Sequence, residues 1–564
     1  MANGTNGNGK KLDEYSKEEL IEAVKDLRKR KKFGLVWEEK PEDVVEQCKK
    51  ELPVLEEVEK HSIEKTSDRP TNLIIEGDNF HALSVLNYTH ANKIDVIYID
   101  PPYNTGNQSW KYNNNYVERD DPWLHTKWLS MMYQRLVLAK NLLKSDGALI
   151  IAIDDYEINH LGLLLEELFP NYERDLIIVA HHPQGAGSNT ISRVHEYAFV
   201  CTPIGVGLKG RKSKDGEDFW SLKRSGQGEN NWRANRPNSF YAVIVDPKTR
   251  KVVGVGSEVP RTAKKYPLGK TKEGFIRIYP IDREGKERVW RYNRTTMTAL
   301  IKRDLVVYSA KGALSIRKEA VSQLPVFSIW TDSRYNAGTH GSSMLTKIMG
   351  TTNTFQYPKS LWTVYDMIEL VHSDKNAVIL DFFAGSGTTG HAVMQMNKND
   401  EGKRQFILVT NNEGRIAEEV TYPRIKKAIN GVHGLEDVTK FSENVRYFKT
   451  DFVPRDDVSD DTRRALVARS TEMICVRENT FEKKYDNKQY KIYTNGKIST
   501  GILFDLDAVD DFKKKLVTLK LPARLYVFSL SNDVFADDFV DLPVKHKLCP
   551  IPESILEVYR KIFS

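Results

Sequence analysis

Residues 94–106 read IDVIYIDPPYNTG, a run rich in β-branched residues that stops at an acid, two prolines and an aromatic ring. This pattern is typical of a buried parallel strand that enters a rigid turn. In open α/β sheets, ligands bind at the carboxyl ends of the strands. The sequence therefore predicts an α/β protein in which the turn after residue 99 faces a ligand.

The turn itself offers hydrogen-bond acceptors and a flat ring. Pro101 and Pro102 have no backbone N–H, so their carbonyls and the Asp100 carboxylate form a surface that only accepts hydrogen bonds. A substrate for such a surface is a donor, and an amino group is the obvious choice. Tyr103 provides a face on which a planar ring can stack. Asp-Pro-Pro is also a common turn, so a purely structural role is the alternative.

A second strand and turn occur at residues 377–390, AVILDFFAGSGTTG. Gly385, Gly387 and Gly390 match the glycine pattern of nucleotide-binding turns, which lets the backbone approach a ligand at a helix N-terminus. Taken alone, this turn would also suit a nicotinamide dehydrogenase. Its position late in the chain and the lack of an accompanying His, Lys and Tyr constellation in the sequence disfavour that interpretation.

Together, residues 100–103 and 383–387 resemble the catalytic and cofactor motifs of β-class DNA adenine-N6 methyltransferases that use S-adenosylmethionine. The catalytic motif comes first and the cofactor motif last, which is the circular order of that class. The resemblance covers residues 71–451 approximately and is closest to the modification (Mod) subunits of type III restriction–modification systems, where residues 32–38, KFGLVWE, are also similar. It implies an α/β Rossmann-like methyltransferase sheet that is circularly permuted, with an inserted DNA target-recognition domain and N- and C-terminal accessory segments.

These expectations divide the chain into five parts. They are an N-terminal helical arm (1–60), a catalytic half (61–204), the target-recognition domain (205–335), a cofactor-binding half (336–455) and a C-terminal accessory or assembly domain (456–564).

Charge supports the target-recognition domain, because residues 205–330 hold 27 Lys and Arg against 12 Asp and Glu. This excess of +15 within a chain of net charge +7 leaves about −8 for the remainder. A basic segment with interleaved aromatic residues suits a polyanion, and a solvated face without a partner is the alternative.

Composition excludes several other classes. The sequence is 40% hydrophobic and 29% charged, and it contains no apolar run near the roughly 20 residues that span a bilayer. The four cysteines lack CxxC spacing, which indicates neither a disulfide framework nor a zinc site and favours a reducing cytoplasm. We expect no membrane contact, no metal and a cytoplasmic location.

The resemblance also implies which residues bind the cofactor. Asp78 ends a predicted strand near the adenine amine, with a helix N-cap as the alternative role. Glu413 ends another strand, where an acid can hold two ribose hydroxyls. Lys359 and Ser360 are candidates for the methionine end, with an ordinary surface lysine as the alternative for Lys359. The full set is Asp78, Asp100, Lys359, Ser360, Asp381, Phe383, Ala384, Gly385, Ser386, Gly387, Thr388, Thr389 and Glu413.

Other segments are predicted from their periodicity. Strands are expected at 71–78, 148–153 and 404–409, and antiparallel edge strands at 175–179 and 194–202. Helices are expected at 12–32, 41–52, 79–89, 123–144, 157–168 and 361–371. Residues 107–121 are expected to form a long loop that folds over the bound base, with a loop that is disordered without DNA as the alternative. Residues 195–197, HEY, resemble the family's segment beside the target-base pocket, and a packed strand end is the alternative.

The predicted chemistry follows from the poor nucleophilicity of adenine's exocyclic amine. Asp100 and the Pro101 carbonyl would accept its two N–H bonds, which draws the nitrogen toward tetrahedral geometry and aims its lone pair at the methyl group. Tyr103 would stack on a base that has left the duplex, and Phe383 with the turn at 385–387 would hold the cofactor alongside.

The resemblance implies double-stranded DNA, a homodimer and a separate restriction subunit with helicase and nuclease activity as partners. The chain itself has no Gly-x-x-x-x-Gly-Lys-Ser/Thr motif. The alternatives are an N4-cytosine or RNA amine methyltransferase, or a non-catalytic DNA-recognition subunit.

Overall fold

A computed structural model describes the protein at residues 16–17, 37–66, 68–113, 115–185, 191–209, 219–226, 228–310, 312–317, 326–352, 355–456, 459–530 and 533–563. Most of the predicted N-terminal arm lies outside these residues, including nearly all of the helix expected at 12–32 and the KFGLV part of the segment at 32–38.

Strands and helices alternate through much of the described chain. The strands are β1 (Glu51–Glu57), β2 (Thr71–Glu76), β3 (Ile94–Ile99), β4 (Asn107–Tyr112), β5 (Asn115–Glu118), β6 (Leu143–Ile153), β7 (Tyr172–Val179), β8 (Glu196–Pro203), β9 (Phe219–Ser221), β10 (Tyr241–Val245), β11 (Val252–Glu258), β12 (Ile276–Ile278), β13 (Val306–Tyr308), β14 (Leu314–Arg317), β15 (Ile329–Trp330), β16 (Val378–Asp381), β17 (Gln405–Thr410), β18 (Asn444–Pro454), β19 (Glu482–Asp486), β20 (Tyr490–Thr494), β21 (Ser499–Leu503), β22 (Ala523–Phe528) and β23 (His546–Ile551). The α-helices are α1 (Asp43–Gln47), α2 (Asn79–Thr89), α3 (Leu124–Lys140), α4 (Ile158–Leu168), α5 (Arg294–Lys302), α6 (Met344–Met349), α7 (Leu361–Val371), α8 (Thr388–Asp400), α9 (Tyr422–Asn430), α10 (Asp460–Ala468), α11 (Thr471–Glu478), α12 (Val509–Leu519) and α13 (Glu553–Phe563).

The main sheet has ten strands among the described residues, in the order β1-β18-β2-β17-β16-β3-β6-β8-β7-β15. The strands from β18 to β6 in this order run parallel, while β1 and β8 join antiparallel at either side. Every residue of β3 is buried, as its apolar run predicted, because a parallel strand is covered on both faces. These features confirm the α/β class with a Rossmann-like sheet.

Most of the elements expected around the two motifs are confirmed. Strands β2, β3 and β17 and helices α2, α4 and α7 lie within one or two residues of their predicted positions. Helix α3 is shorter than predicted by one residue at its start and four at its end. For these elements the hydrophobic periodicity and the flanking turn residues indicate the same secondary structure, which is why the sequence was sufficient to predict them.

The helix predicted at 41–52 is wrong. Only α1 is helical there, and β1 begins at Glu51 and pairs with β18 along its whole length. Pro53 does not end a helix but lies in an edge strand, where a missing N–H can be tolerated. The apolar residues that follow it are buried in the main core.

Two further predictions need correction. The expected loop at 107–121 contains a hairpin in which β4 and β5 pair, with Lys111 opposite Tyr116. The strands β7 and β8 are antiparallel as predicted, but β8 lies between β6 and β7, and β7 pairs with β15, so neither is an edge.

Residues 210–326 form a compact unit, whose residues contact one another more than they contact the rest of the chain. It contains two three-stranded sheets, β11-β10-β12 and β13-β14-β9, and helix α5. Its core includes Tyr241, Trp290 and Met297. Of the aromatic residues expected to alternate with basic ones on a binding face, Phe240 and Trp290 are buried, whereas Trp220 is 51% exposed.

The C-terminal segment ends in a helix that packs against the main core. A five-stranded sheet, β19-β20-β21-β22-β23, precedes α13. Leu556 and Tyr559 of α13 belong to the same buried cluster as Leu55 of β1, and the Tyr559 hydroxyl donates to the Pro53 carbonyl. This contact gives the segment a structural attachment to the catalytic part of the chain.

Among the described residues, no helix combines the length and the apolar character needed to cross a bilayer. All four cysteines are free thiols, and three of them are buried.

Candidate active site

The two sequence motifs meet at one edge of the main sheet. Strands β3 and β16 are neighbours, with Val96 opposite Ile379 and Ile97 opposite Leu380. Both strands run in the same direction, so the turn beginning at Asp100 and the turn beginning at Phe382 leave the sheet side by side. This edge is where ligands bind in open α/β sheets.

Lys359 lies between the two acids of this edge. Its Nζ is 3.1 Å from Asp100 Oδ1 and 2.8 Å from Glu196 Oε2. Glu196 begins β8, and Lys359 directly precedes the cap of α7, so three distant segments supply the cluster. Only 11% of the Lys359 side chain and 6% of the Glu196 side chain are exposed, and buried charges of this kind require such pairing.

The cluster shifts the pKa of each of its members. Burial raises the pKa of Asp100 and Glu196 raises it further, while Lys359 opposes both effects. Burial also acts to raise the pKa of Glu196, but Lys359 and His181 bring it below its usual value. Burial acts to lower the pKa of Lys359, and the two carboxylates more than reverse this, so the ammonium stays charged.

Tyr103 contacts the same cluster. Its hydroxyl donates to Glu196 Oε2 at 3.2 Å and accepts a hydrogen bond from Lys359, whose Nζ lies 4.6 Å from the ring centroid. Burial, then the charges of Asp100 and Glu196, raise the pKa of Tyr103 well above its ordinary value, so the phenol stays protonated.

The backbone acceptors of the turn are not equivalent. Trp128 Nε1 donates to the Pro102 carbonyl at 2.7 Å from the buried face of α3. The Pro102 carbonyl is therefore already used inside the protein. This leaves Pro101 as the carbonyl predicted to receive a substrate N–H.

The glycine turn has a backbone conformation and close neighbours that favour glycine. Gly385 and Gly387 have φ values of +48° and +77°, which non-glycine residues rarely adopt. A Cβ at Gly385 would come within 3.1 Å of the Phe355 ring, and one at Gly387 within 3.3 Å of Thr421 Cγ2. The Thr421 hydroxyl donates to the Gly385 carbonyl at 2.5 Å and fixes the turn.

Arg424 of α9 supports the turn from below. It is fully buried, and its Nη1 donates to Ser386 Oγ at 3.0 Å and to Thr388 Oγ1 at 2.8 Å. Burial lowers the pKa of Arg424 to about 9. These contacts use the hydroxyls of Ser386 and Thr388 inside the protein.

Asp381 fixes the start of the same turn. Its carboxylate accepts from the Phe383 backbone N–H at 3.0 Å and from Thr389 Oγ1 at 2.5 Å. Burial, together with a smaller contribution from the nearby Asp100, raises the pKa of Asp381 to about 7 against the effect of these hydrogen bonds. Ala384 is held by a backbone hydrogen bond to Val409 at 3.0 Å.

Asp78 is the N-cap of helix α2, which is the alternative to its predicted contact with the cofactor's adenine. Its Oδ1 accepts from the Phe80 backbone N–H at 2.7 Å at the start of α2, and Arg135 lies 3.3 Å away. Arg135 is buried and also binds both oxygens of Glu42. The Asp78 side chain remains 29% exposed, so a second role beside the cap is sterically open.

Two further predicted residues have partners of their own. Ser360 caps α7, and its hydroxyl donates to the Arg334 carbonyl at 2.7 Å. Glu413, after β17, forms a 2.5 Å ion pair with Lys111 of the β4–β5 hairpin. The hairpin therefore reaches the carboxylate that was predicted to hold a ribose.

The structure thus brings Asp100, Tyr103 and Lys359 into one cluster, and Asp381, Phe383 and the glycine turn lie on the strand beside it. Sequence reasoning missed Trp128, Arg135 and Arg424, because each acts through a long side chain that crosses between elements. Glu196 was named only as part of the segment 195–197, and its direct contact with Lys359 and Tyr103 could not be read from spacing.

Comparison with known proteins gives a consistent family. The model of a DNA methylase family matches residues 94–420. The type II methyltransferase M.KpnI from Klebsiella pneumoniae is 31% identical over 389 residues, which are 66% of this chain and 87% of that protein. The EcoPI Mod subunit of a type III restriction–modification enzyme, from Escherichia phage P1, is 29% identical over 407 residues.

The match to the EcoPI Mod subunit covers 64% of this chain and 60% of that protein. Among solved structures, the M1.HpyAVI–SAM complex is 15% identical, with a TM-score of 0.28 over 63% of this chain and 98% of that one.

The substitution Lys111→Ala tests whether the hairpin competes with the cofactor for Glu413. Because this ion pair is solvent-exposed and weak, we expect S-adenosylmethionine to bind only about two- to fivefold more tightly in the variant. Isothermal titration calorimetry measures the change. Lys513→Ala, which removes a 2.8 Å ion pair in the C-terminal segment, is the control and should change nothing. Weaker binding in Lys111→Ala would mean that Lys111 contributes to the cofactor site instead.

Proposed function

Because the chain belongs to the DNA methylase family, whose members use S-adenosylmethionine, we propose that it methylates the exocyclic N6 amine of adenine in duplex DNA. It would act in the cytoplasm as the modification subunit of a type III restriction–modification system. The observation that carries this proposal is the acceptor surface of Asp100 and Pro101 beside the glycine turn on the neighbouring strand.

The glycine turn and the charges beside it fit the cofactor. Gly385 and Gly387 have the positive φ values that glycine adopts readily, so the backbone of the turn can approach a ligand closely. Asp100, Glu196 and Lys359 together carry one net negative charge, which favours a positively charged sulfonium nearby. We assign the adenosine end to the backbone of residues 383–387 and to Glu413. When bound, the cofactor supplies an electrophilic methyl group.

The chain's own residues prepare the amine. Asp100 and the Pro101 carbonyl accept its two N–H bonds, which pulls the nitrogen out of conjugation with the ring and directs its lone pair outward. Asp100 must be ionised to do this, and Lys359 keeps its pKa from rising as far as burial alone would take it. Tyr103 stacks on the base, which leaves the duplex to reach the site.

The acid in Asp-Pro-Pro-Tyr favours adenine over cytosine, since serine at this position is commoner for cytosine amines in the resembling family. The alternatives are therefore an N4-cytosine or an RNA amine methyltransferase. A non-catalytic recognition subunit is disfavoured by the complete Asp100–Tyr103 motif and by its pairing with Lys359.

The unit at 210–326 is our candidate for reading the DNA. Three arginines of this unit lie close enough to interact. Burial, and then the positive charges of Arg236 and Arg291, lower the pKa of Arg224. Exposed Trp220 lies beside Arg291, whose guanidinium is 5.9 Å from its ring centroid. Clustered guanidinium groups with an exposed aromatic ring suit phosphates and bases.

Assembly is proposed on the relatives alone. The chain spans about 60% of the EcoPI Mod subunit, so its partners need not be those of that protein. We propose a homodimer and a separate restriction subunit. The domain limits 1–60, 61–204, 205–335, 336–455 and 456–564 remain our division of these roles.

Asp100→Asn tests the acceptor role directly. The amide keeps the shape but donates where the amine needs an acceptor, so we expect transfer from labelled S-adenosylmethionine to duplex DNA to fall at least about a hundredfold. Cofactor binding should fall far less than transfer, because the amide removes only one of the charges near the sulfonium, and calorimetry checks this. Sequencing of the methylated bases made by the unaltered chain should identify N6-methyladenine. Methylcytosine or preferential RNA labelling would favour the alternatives, and normal transfer by the variant would reject the role of Asp100.

Lys359→Gln tests how the charge state of Asp100 is set. Lys359 lowers the pKa of Asp100, so its removal should raise that pKa and move the acidic limb of the kcat/KM profile to higher pH. Lys359→Arg keeps the charge and should leave the limb near its original position. An unchanged limb in Lys359→Gln with weaker cofactor binding would limit Lys359 to a cofactor contact.

The double substitution Arg224→Gln and Arg236→Gln tests the DNA-reading unit. Each lost phosphate contact should reduce the slope of log K against log salt by about 0.9, which gives a total near 2 and weaker binding at low salt. Fluorescence anisotropy with labelled duplex DNA measures both. Lys248→Gln is the control, because Lys248 lies in a turn beside Asp246. An unchanged slope in the double variant would exclude these arginines from the interface.

A further inference from the structure

A cluster of two histidines and one glutamate lies next to the catalytic turn but outside the site described above. His125 is in the first turn of α3, Glu157 directly precedes α4, and His160 is in the first turn of α4. One donor atom from each of the three lies within 4.8 Å of the others. The Glu-x-x-His spacing puts Glu157 and His160 on one face of the helix start.

Glu157 is the unusual member of the cluster. Its side chain is completely buried, although a buried carboxylate is costly unless its charge is compensated. Its Oε1 accepts a hydrogen bond from Asn104 Nδ2 and lies 2.7 Å from His125 Nδ1. Its Oε2 lies 2.9 Å from His160 Nδ1, but neither of these two buried atoms has a hydrogen-bond partner. They are close together without being aligned with each other.

Both histidines approach the same carboxylate. The two imidazole rings are stacked with centroids 4.5 Å apart, and their Nδ1 atoms lie 2.7 and 2.9 Å from the two Glu157 oxygens. A cation held between the carboxylate and the two ring nitrogens would neutralise Glu157. It would also give the unaligned Oε2 and Nδ1 a common partner.

The donor set indicates which cation. Two imidazoles and one carboxylate suit Zn²⁺, Co²⁺, Ni²⁺ or Fe²⁺, whereas Mg²⁺ and Ca²⁺ prefer oxygen ligands alone. A tetrahedral Zn²⁺ would hold such donors about 3.4 Å apart. The side chains of His125 and His160 are 48% and 33% exposed, which leaves them free to make this small adjustment and leaves a position open to water.

We propose that His125, Glu157 and His160 form a binding site for one divalent transition-metal ion that stabilises the catalytic turn. The connection to the turn is Asn104, which is fully buried, directly follows Tyr103 and has a φ of +58°. Asn104 holds the Glu157 carboxylate from behind, as residues that orient metal ligands do. The metal takes no part in methyl transfer and acts on the position of Tyr103 and Asp100.

The test is metal binding by the full chain after treatment with EDTA. Titration with ZnCl2 in a calorimeter should show one high-affinity site per chain, and CoCl2 should give the visible absorption of a site with nitrogen ligands. Bound Zn²⁺ should also raise the thermal unfolding temperature, because it binds only the folded chain. His125→Gln and His160→Gln should each weaken Zn²⁺ binding by at least about tenfold.

His433→Gln is the matched control. His433 also faces a glutamate three residues away, Glu436, but at 3.5 Å on a fully exposed surface. It should bind Zn²⁺ as the unaltered chain does, and circular dichroism checks that every variant is folded. The proposal is overturned if no stoichiometric site is found, if His125→Gln and His160→Gln bind Zn²⁺ normally, or if MgCl2 binds equally well. These readouts do not depend on methyl transfer, so they stand apart from the proposed function.

Discussion

One buried carboxylate joins the two halves of the candidate active site. Asp95 of β3 is 3% exposed, and its Oδ2 accepts the backbone N–H of Val378, the first residue of β16, at 2.8 Å. Its Oδ1 lies 2.7 Å from Lys144 Nζ and 3.4 Å from His372 Nε2, so the charge is compensated. Because this contact fixes where β16 begins beside β3, the two strands end at the same edge, and segments 283 residues apart supply one site.

The chemistry at that edge depends on a shared cation. Lys359 faces both Asp100 and Glu196, so a substrate amine can take a place on Asp100 while Glu196 still compensates the ammonium. Burial raises the pKa of both Tyr103 and Asp100, which keeps the phenol protonated, whereas Lys359 opposes the rise at Asp100. The residues that position the site are themselves held from the protein side, Pro102 by Trp128 and the glycine turn by Arg424.

The sequence predicted those parts of the fold whose local signals agree with their tertiary environment. Strand β3 and its turn, and β16 with its glycines, could be identified because their apolar runs and turn residues point the same way. Pro53 misled the prediction of 41–52, since a proline at a sheet edge and a proline that ends a helix look alike in one sequence. The sequence also did not show which aromatic side chains of the unit at 210–326 are buried: Trp290 is in its core and Trp220 is exposed. Contacts such as Lys359 with Glu196 depend on the packing of segments far apart in sequence.

The central claim is that the acceptor turn and the glycine turn serve one amine and one methyl donor. A crystal structure of the chain with an unreactive S-adenosylmethionine analogue and duplex DNA tests it most directly. The claim predicts an extruded adenine with its amine within about 3 Å of Asp100 and the methyl-bearing end of the analogue on the opposite side of that nitrogen, above residues 383–387. An analogue bound elsewhere on the chain, or an extruded base remote from Asp100, would contradict it.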